Sequence, residues 1–202
     1  MADLASRAQI SRQVCAWLDA NALILDTETT GLDDDDDAEV VELAVIDCAG
    51  TVLLDTLVRP SGPVPAEAAA IHGITDAMLA DAPTWPEIHD RFCRLIAGRQ
   101  VIAYNAGFDV RLIEQTARRY RESIPELVPL DQVATFSCAM LAYAAFYGEW
   151  SAEKGRYRWQ KLSAAAQQQG VTVGNGHRAL GDCLMTLGVV RAMASTENAK
   201  RV

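Results

Sequence analysis

The chain lacks the features that mark several large protein classes. No uninterrupted run of about 18 apolar residues occurs, which excludes a membrane-spanning helix, and apolar segments such as Ala22–Leu25 are short. Met1-Ala2-Asp3-Leu4 has neither the basic flank nor the apolar stretch of a signal peptide. The five cysteines (Cys15, Cys48, Cys93, Cys138, Cys183) contain no Cys-x-x-Cys pair and are odd in number. Reduced thiols in a cytoplasmic protein are therefore expected. Four of them are spaced evenly by 45 residues, but VIDCAG, HDRFCRL, TFSCAM and LGDCLM share no pattern, so there is no repeat. No Pro-, Ser- or Gly-rich linker divides the chain, and one domain over 1–202 is expected, with an N-terminal helix (1–20), a core (22–193) and a short tail (194–202). Basic residues are in deficit, 18 Lys and Arg against 27 Asp and Glu, for a net charge of −9. That excludes a general nucleic-acid coat, whose surface must be basic. It does not exclude an enzyme that meets phosphates through cations held by its carboxylates.

What is present is ordinary globular composition: 202 residues, 50% hydrophobic and 22% charged, with mean hydropathy +0.03. Helical spacing of Ile10, Val14, Trp17 and Leu18 predicts a helix over Ser6–Asp19. Ala22–Leu25 reads as a buried central strand. Val40–Asp47 and Thr51–Val58, split by Cys48-Ala49-Gly50, read as a hairpin. A loop over Pro60–Pro65 and helices over Ala66–Ile71, Asp76–Ala80 and Trp85–Ala97 follow. Then come a strand at Gln100–Ala103, a helix from Ala106 to Tyr120, a last strand at Gln132–Phe136, and helices at Cys138–Phe146, Leu162–Gln169 and Arg178–Met193. A hairpin followed by alternation predicts an α/β fold: a mixed sheet of about five strands, the first three antiparallel, with helices on both faces. The acidic run Asp33–Asp37 fails as an EF-hand, since Ala38 stands at position 6 and Ala44 at position 12. It reads as a solvated loop.

Three clusters carry chemistry. In Leu25-Asp26-Thr27-Glu28-Thr29-Thr30-Gly31-Leu32, continuation of the strand puts Asp26 and Glu28 on one face, Cα atoms about 6.6 Å apart. Such a pair is costly unless cations neutralise it. In Asn105-Ala106-Gly107-Phe108-Asp109, Asn105 reads as an N-cap, with Asp109 in the first helical turn. His177 and Asp182 would lie about 140° apart on one helix and could not share a face. Gly174-Asn175-Gly176 precedes them, so His177 is placed on a loop and Asp182 on the helix behind it.

In this order the clusters resemble the motifs of the DEDDh exonucleases, the DnaQ-like branch of the RNase H-like superfamily. The resemblance runs from about Ala22 to Met193 and includes Ile71-His72-Gly73-Ile74-Thr75 between the first two motifs. A histidine at 177, where the sister branch has tyrosine, marks the His branch. The resemblance implies an RNase H-like fold and a 3′→5′ exonuclease that releases nucleoside 5′-monophosphates. Asp26, Glu28, Asp109 and Asp182 would hold two divalent ions, Mg²⁺ or Mn²⁺, about 3.5–4 Å apart; oxygen-only ligands suit these hard ions. His177 would be the general base, a task that suits an imidazole at neutral pH. It further implies that Thr29 and Leu32 line the terminal nucleotide, Leu32 near the last base step, and that Phe108 and His72 face the same pocket.

One stretch is basic, Lys154-Gly155-Arg156-Tyr157-Arg158-Trp159-Gln160-Lys161. Lys154, Arg156, Arg158 and Lys161 are candidates to track a single strand, whereas Trp159 reads as an anchor of the next helix against the core. Gln132–Phe136 loosely resembles a sliding-clamp-binding peptide but reads as a buried strand. The expected partner is nucleic acid at its 3′ end, single-stranded DNA in preference, with RNA as the alternative and an inactive nuclease-fold binding module as a third reading; no membrane or protein partner is assigned. With few residues after the last helix, a stand-alone enzyme is expected rather than a proofreader docked on a polymerase.

Overall fold

A computed structural model describes residues 4–32, 36–124, 126–172 and 177–198. Helix α1 (Leu4–Asp19) leads into strand β1 (Leu23–Thr29) and the hairpin β2 (Val40–Asp47) and β3 (Val52–Leu57). Helices α2 (Ala66–His72), α3 (Asp76–Leu79) and α4 (Trp85–Ile96) precede β4 (Gln100–Ala103) and α5 (Ala106–Arg119). The one-turn α6 (Leu130–Val133), β5 (Thr135–Cys138), α7 (Ala139–Tyr147), the small hairpin β6 (Trp150–Ser151) and β7 (Arg156–Tyr157), α8 (Leu162–Gln168) and α9 (Ala179–Asn198) complete the described chain.

The sheet has the order β3-β2-β1-β4-β5. β1, β2 and β3 are antiparallel, while β4 is parallel to β1 and β5 parallel to β4, as the hairpin-then-alternation pattern predicts. Period-2 alternation divides the core into two layers. Ile24, Ala44, Ile46 and Ile102 face α1, α7, α8 and α9. Leu23, Leu25, Leu43, Val45 and Val101 face α4 and α5. All five cysteines are free thiols. Among the described residues no helix is long and apolar enough to cross a membrane.

Several expectations need correction. The last strand of the main sheet lies at Thr135–Cys138, not Gln132–Phe136. Residues 130–133 are instead drawn into a helical turn whose Leu130 N–H donates to Glu114 Oε1 at 3.0 Å. Asn105 occupies the N-cap position of α5, but its side chain makes no capping hydrogen bond. The final helix runs through Asn198, so most of the expected tail is helical. Trp159 does not anchor α8 in the core: it is 51% exposed. The residues around it form a hairpin that the sequence pattern did not announce. Gly174-Asn175-Gly176 and Asp33–Asp35 lie outside the described residues. From the rest of the acidic run, Asp37 accepts from Arg119 Nη2 while remaining well exposed.

Candidate active site

The site begins where β1 parts from its parallel neighbour. β1 pairs with β4 only over Leu23–Leu25 against Val101–Ala103, while on its other side it stays paired with β2. Past Leu25 the β4 flank is open, which is where an α/β sheet leaves room for a ligand. The strand continues through Asp26 and Glu28, so both carboxylates project towards the α9 layer, as period-2 geometry requires. A register irregularity follows at Glu28/Thr29, the kind of local bend that re-aims side chains beside active sites.

β4 ends at Ala103 and the chain turns into α5, whose first turn carries Asp109. Asp109 is 3% exposed. Its Oδ1 accepts from the Thr27 N–H at 3.1 Å and the Thr27 hydroxyl at 2.9 Å. Asp109 thus satisfies a main-chain donor that β4 leaves unpaired, and tethers α5 to β1. Asp182 comes from the first turn of α9. Ligand oxygens of Asp26, Glu28 and Asp182 lie within 4.8 Å of one another; Asp109 stands outside that closest group but raises the Asp26 pKa by its charge.

The electrostatics reflect this crowding. Burial is the first cause in each case, with neighbouring carboxylates adding to it. Asp26 is raised well above its ordinary value, Glu28 to about 8, and Asp109 to about 7 against the opposing hydrogen bonds from Thr27. Asp182 is raised by burial, and partly lowered by the charge and backbone N–H of His177. Asp182 Oδ1 is buried and accepts no hydrogen bond from the described residues. An oxygen-only donor set, crowded and with an orphaned carboxylate oxygen, fits divalent cations.

His177 precedes α9, solvent-exposed, with φ +65°. A non-glycine residue in the left-handed region is held there by its surroundings. Glu42 holds the residues that follow it. It lies on β2 directly opposite Glu28 and is 2% exposed. Its carboxylate accepts from Arg178 Nε at 3.0 and 3.1 Å and from the Ala179 N–H at 2.9 Å. A buried carboxylate therefore clamps the start of α9 between His177 and Asp182, adding a favourable charge at the helix N-terminus. Sequence reasoning missed Glu42. The available signal was an acidic residue inside the otherwise apolar run Val40–Ile46, since buried acids are rare unless paired. Replacing Glu42 by Gln should destabilise the fold by about 1–3 kcal/mol, the range for losing charge-assisted hydrogen bonds. It should also lower turnover more than it alters KM. Unchanged melting and unchanged turnover would remove Glu42 from the site's support.

Two clefts meet at the carboxylates. One, of about 370 Å³, brings together Glu28, Thr29, Leu32, His72 and Phe108, four of them the residues expected around a terminal nucleotide. Leu32 is 66% exposed at its rim. His72 is buried; burial lowers its pKa, and its Nδ1 accepts from the Ile74 N–H at 3.0 Å. The second cleft, of about 490 Å³, is lined by His177 and Asp182 together with Tyr104, Trp159 and Lys161. Lys154, Arg156 and Arg158 instead border a separate groove of about 430 Å³ on the β6–β7 hairpin. Arg158 is paired with Glu149 at 3.4 Å.

Fold and carboxylate cluster together define the RNase H-like class. A family model described as exonuclease (RNase_T) matches residues 23–190. The chain is 48% identical over 191 residues to the uncharacterized exonuclease CP81 of Escherichia phage 186, covering 94% of this chain and 96% of that one. It is 33% identical over 171 residues to the DNA polymerase III subunit epsilon of Treponema pallidum, covering 83% of this chain and 74% of that protein. Among solved structures, Exonuclease X in complex with 5′ overhanging duplex DNA superposes with a TM-score of 0.57 at 29% identity, over 87% of this chain and 92% of that chain. Escherichia coli Exonuclease I with a dA16 oligonucleotide gives 0.68 at 16% identity, over 88% of this chain and 41% of that one, and so shares the fold. The chain belongs to the DEDDh, DnaQ-like family of 3′→5′ exonucleases.

Proposed function

We propose that the protein removes nucleoside 5′-monophosphates from the 3′ end of nucleic acid, single-stranded DNA in preference, with Asp26, Glu28, Asp109 and Asp182 holding two divalent ions and His177 acting as general base. The observation that carries this reading is the convergence of Asp26, Glu28 and Asp182 within 4.8 Å, with Asp182 Oδ1 left without a partner among the described residues. When bound, Mg²⁺ or Mn²⁺ supplies concentrated positive charge at the scissile phosphate.

The protein's own groups do the rest. The cleft of Thr29, Leu32, His72 and Phe108 takes the terminal nucleotide, with the apolar rim against its base. His72, neutral because it is buried and lends Nδ1 to Ile74, adds no charge to that pocket. His177 sits across the carboxylates in the second cleft, where its imidazole takes a proton from the attacking water. Asp109, buried, and Asp26, half-buried beside it, keep bulk solvent from one side of the reacting phosphate. Lys154, Arg156, Arg158 and Lys161 contact phosphates further along the strand, which reconciles a net charge of −9 with a polyanionic substrate.

A strand labelled at its 5′ end, incubated with Mg²⁺ or Mn²⁺, should give a descending ladder that chelation abolishes. Matched DNA and RNA strands in the same assay decide the sugar. Cleavage of circular single strands, or activity that survives thorough chelation, would overturn the reading.

A further inference from the structure

The small hairpin carries an arrangement that neither the catalytic residues nor the fold requires. Trp150 is 57% exposed, and its ring meets that of Tyr157 edge-on, with centroids 5.2 Å apart. Two residues past β7, Trp159 is half exposed although one face is covered. The Arg156 guanidinium carbon lies 3.5 Å from the centre of its ring. Leaving a tryptophan in water forfeits the burial of a large apolar surface, and two lie exposed within this one short segment.

The position of Trp159 indicates which occupant. It is the residue common to the linings of the hairpin groove and of the cleft of His177 and Asp182, so it stands on the border between them. The chain on both sides of it is pinned. The Arg158 N–H donates to the Glu149 carbonyl at 2.8 Å, and the Tyr104 hydroxyl donates to the Gln160 carbonyl at 2.9 Å. Tyr104 directly follows β4, so the ring is referenced to the sheet that carries the carboxylates. Around it, Lys154, Arg156 and Lys161 have no carboxylate partner among the described residues, in contrast to Arg158. A rigid aromatic face with unneutralised cations beside it fits a nucleobase flanked by phosphates, and stacking of this kind is tolerant of base identity.

We infer that Trp159, backed by Arg156, is a stacking platform for an unpaired base a few nucleotides before the 3′ end, so that the hairpin groove and the catalytic cleft form one path for a single strand. The inference rests on the nuclease reading of the site and adds the feature by which that site would favour unpaired ends, since a base inside a duplex has no free face to offer. Arg156 acts as a positioning residue: it fixes the ring by a cation–π contact and keeps positive charge at the groove.

The test is equilibrium binding in Ca²⁺, measured by fluorescence anisotropy. Wild-type protein, Trp159→Ala and Trp159→Phe are compared on a short oligothymidylate and on strands carrying one abasic site stepped back from the 3′ end. Trp159→Ala should weaken binding of the intact strand by about 5- to 150-fold, the loss of one base–aromatic stack, and Trp159→Phe should retain most of the affinity. Wild-type protein should lose a comparable factor when the abasic site reaches one particular position, and Trp159→Ala should lose nothing further there. Equal affinity of wild type and Trp159→Ala for the intact strand overturns the platform. So does a penalty that stays constant along the abasic series, because the ring would then act through the fold or the phosphates. The nuclease reading fails separately, if wild-type protein yields no metal-dependent ladder.

Discussion

His177→Ala is expected to slow hydrolysis by about 10²–10⁴-fold, the usual contribution of a positioned general base, while Mn²⁺ binding stays close to that of the wild type. Asp26→Asn and Asp182→Asn are expected to weaken Mn²⁺ binding itself, because each removes a carboxylate from the closest cluster. The contrast follows from placement. Asp26 and Asp182 are half-buried between the sheet and α9, whereas His177 lies in solvent ahead of the helix and meets the cluster at Asp182. The rate deficit of His177→Ala should narrow as the pH rises, since water needs less help to lose its proton. His177→Gly provides a control for folding. At φ +65° a glycine carries none of the steric cost that a histidine does, so this variant should melt no lower than wild type and be equally slow. Parallel loss of metal affinity and rate in His177→Ala would mean that the imidazole acts as a ligand and not as a base.

The degree to which the site was legible in the sequence differs residue by residue, for physical reasons. Asp26 and Glu28 were legible because a strand has a strict period of two and an apolar run leads into them, so only the strand's length had to be right. Asp109 and Asp182 were legible as helix-start acids, although Asp109 turns out to spend Oδ1 on Thr27, a contact across 82 residues that no local pattern contains. Glu42 escaped because its partners Arg178 and Ala179 are more remote still, 136 and 137 residues away. Trp159 was misjudged by a rule that is usually sound, that a tryptophan beside a helix start packs inward. The guanidinium of Arg156 replaces the core as its neighbour. The slip at β5 has the same origin. Glu114 on α5 draws Leu130 into a helical turn, and the strand begins only after it. Local periodicity sees the elements, but not the long-range hydrogen bonds that set their ends.

Those crowded carboxylates should also make stability depend jointly on pH and divalent metal. The sign follows from the folded-state pKa values, raised to about 8 at Glu28 and about 7 at Asp109, with Asp26 also raised. A carboxyl whose pKa is higher in the folded than in the unfolded state holds its proton more tightly when folded. Its contribution is complete below the unfolded value and is lost as pH rises through the folded one. Metal-free protein should therefore melt at a lower temperature near pH 8 than near pH 5 to 6. Asp47 and Glu87, whose pKa values are lowered chiefly by hydrogen bonds from Thr51 and Thr84, pull weakly the other way and titrate below that window. Divalent metal should reverse the trend, because ligands must be deprotonated to bind. At a concentration one hundred times Kd, a single site adds about 2.7 kcal/mol, or roughly 5–10 °C for a domain of this size. That gain should be largest near pH 8 and small near pH 5. Calorimetry with Mg²⁺ or with chelator across this range measures both slopes. In Glu28→Gln, which cannot ionise, the metal-free loss between those pH values should shrink and the metal-induced gain should fall. A metal-induced shift that is absent at high pH, or larger at low pH, would show that Asp26, Glu28 and Asp182 do not hold the ions.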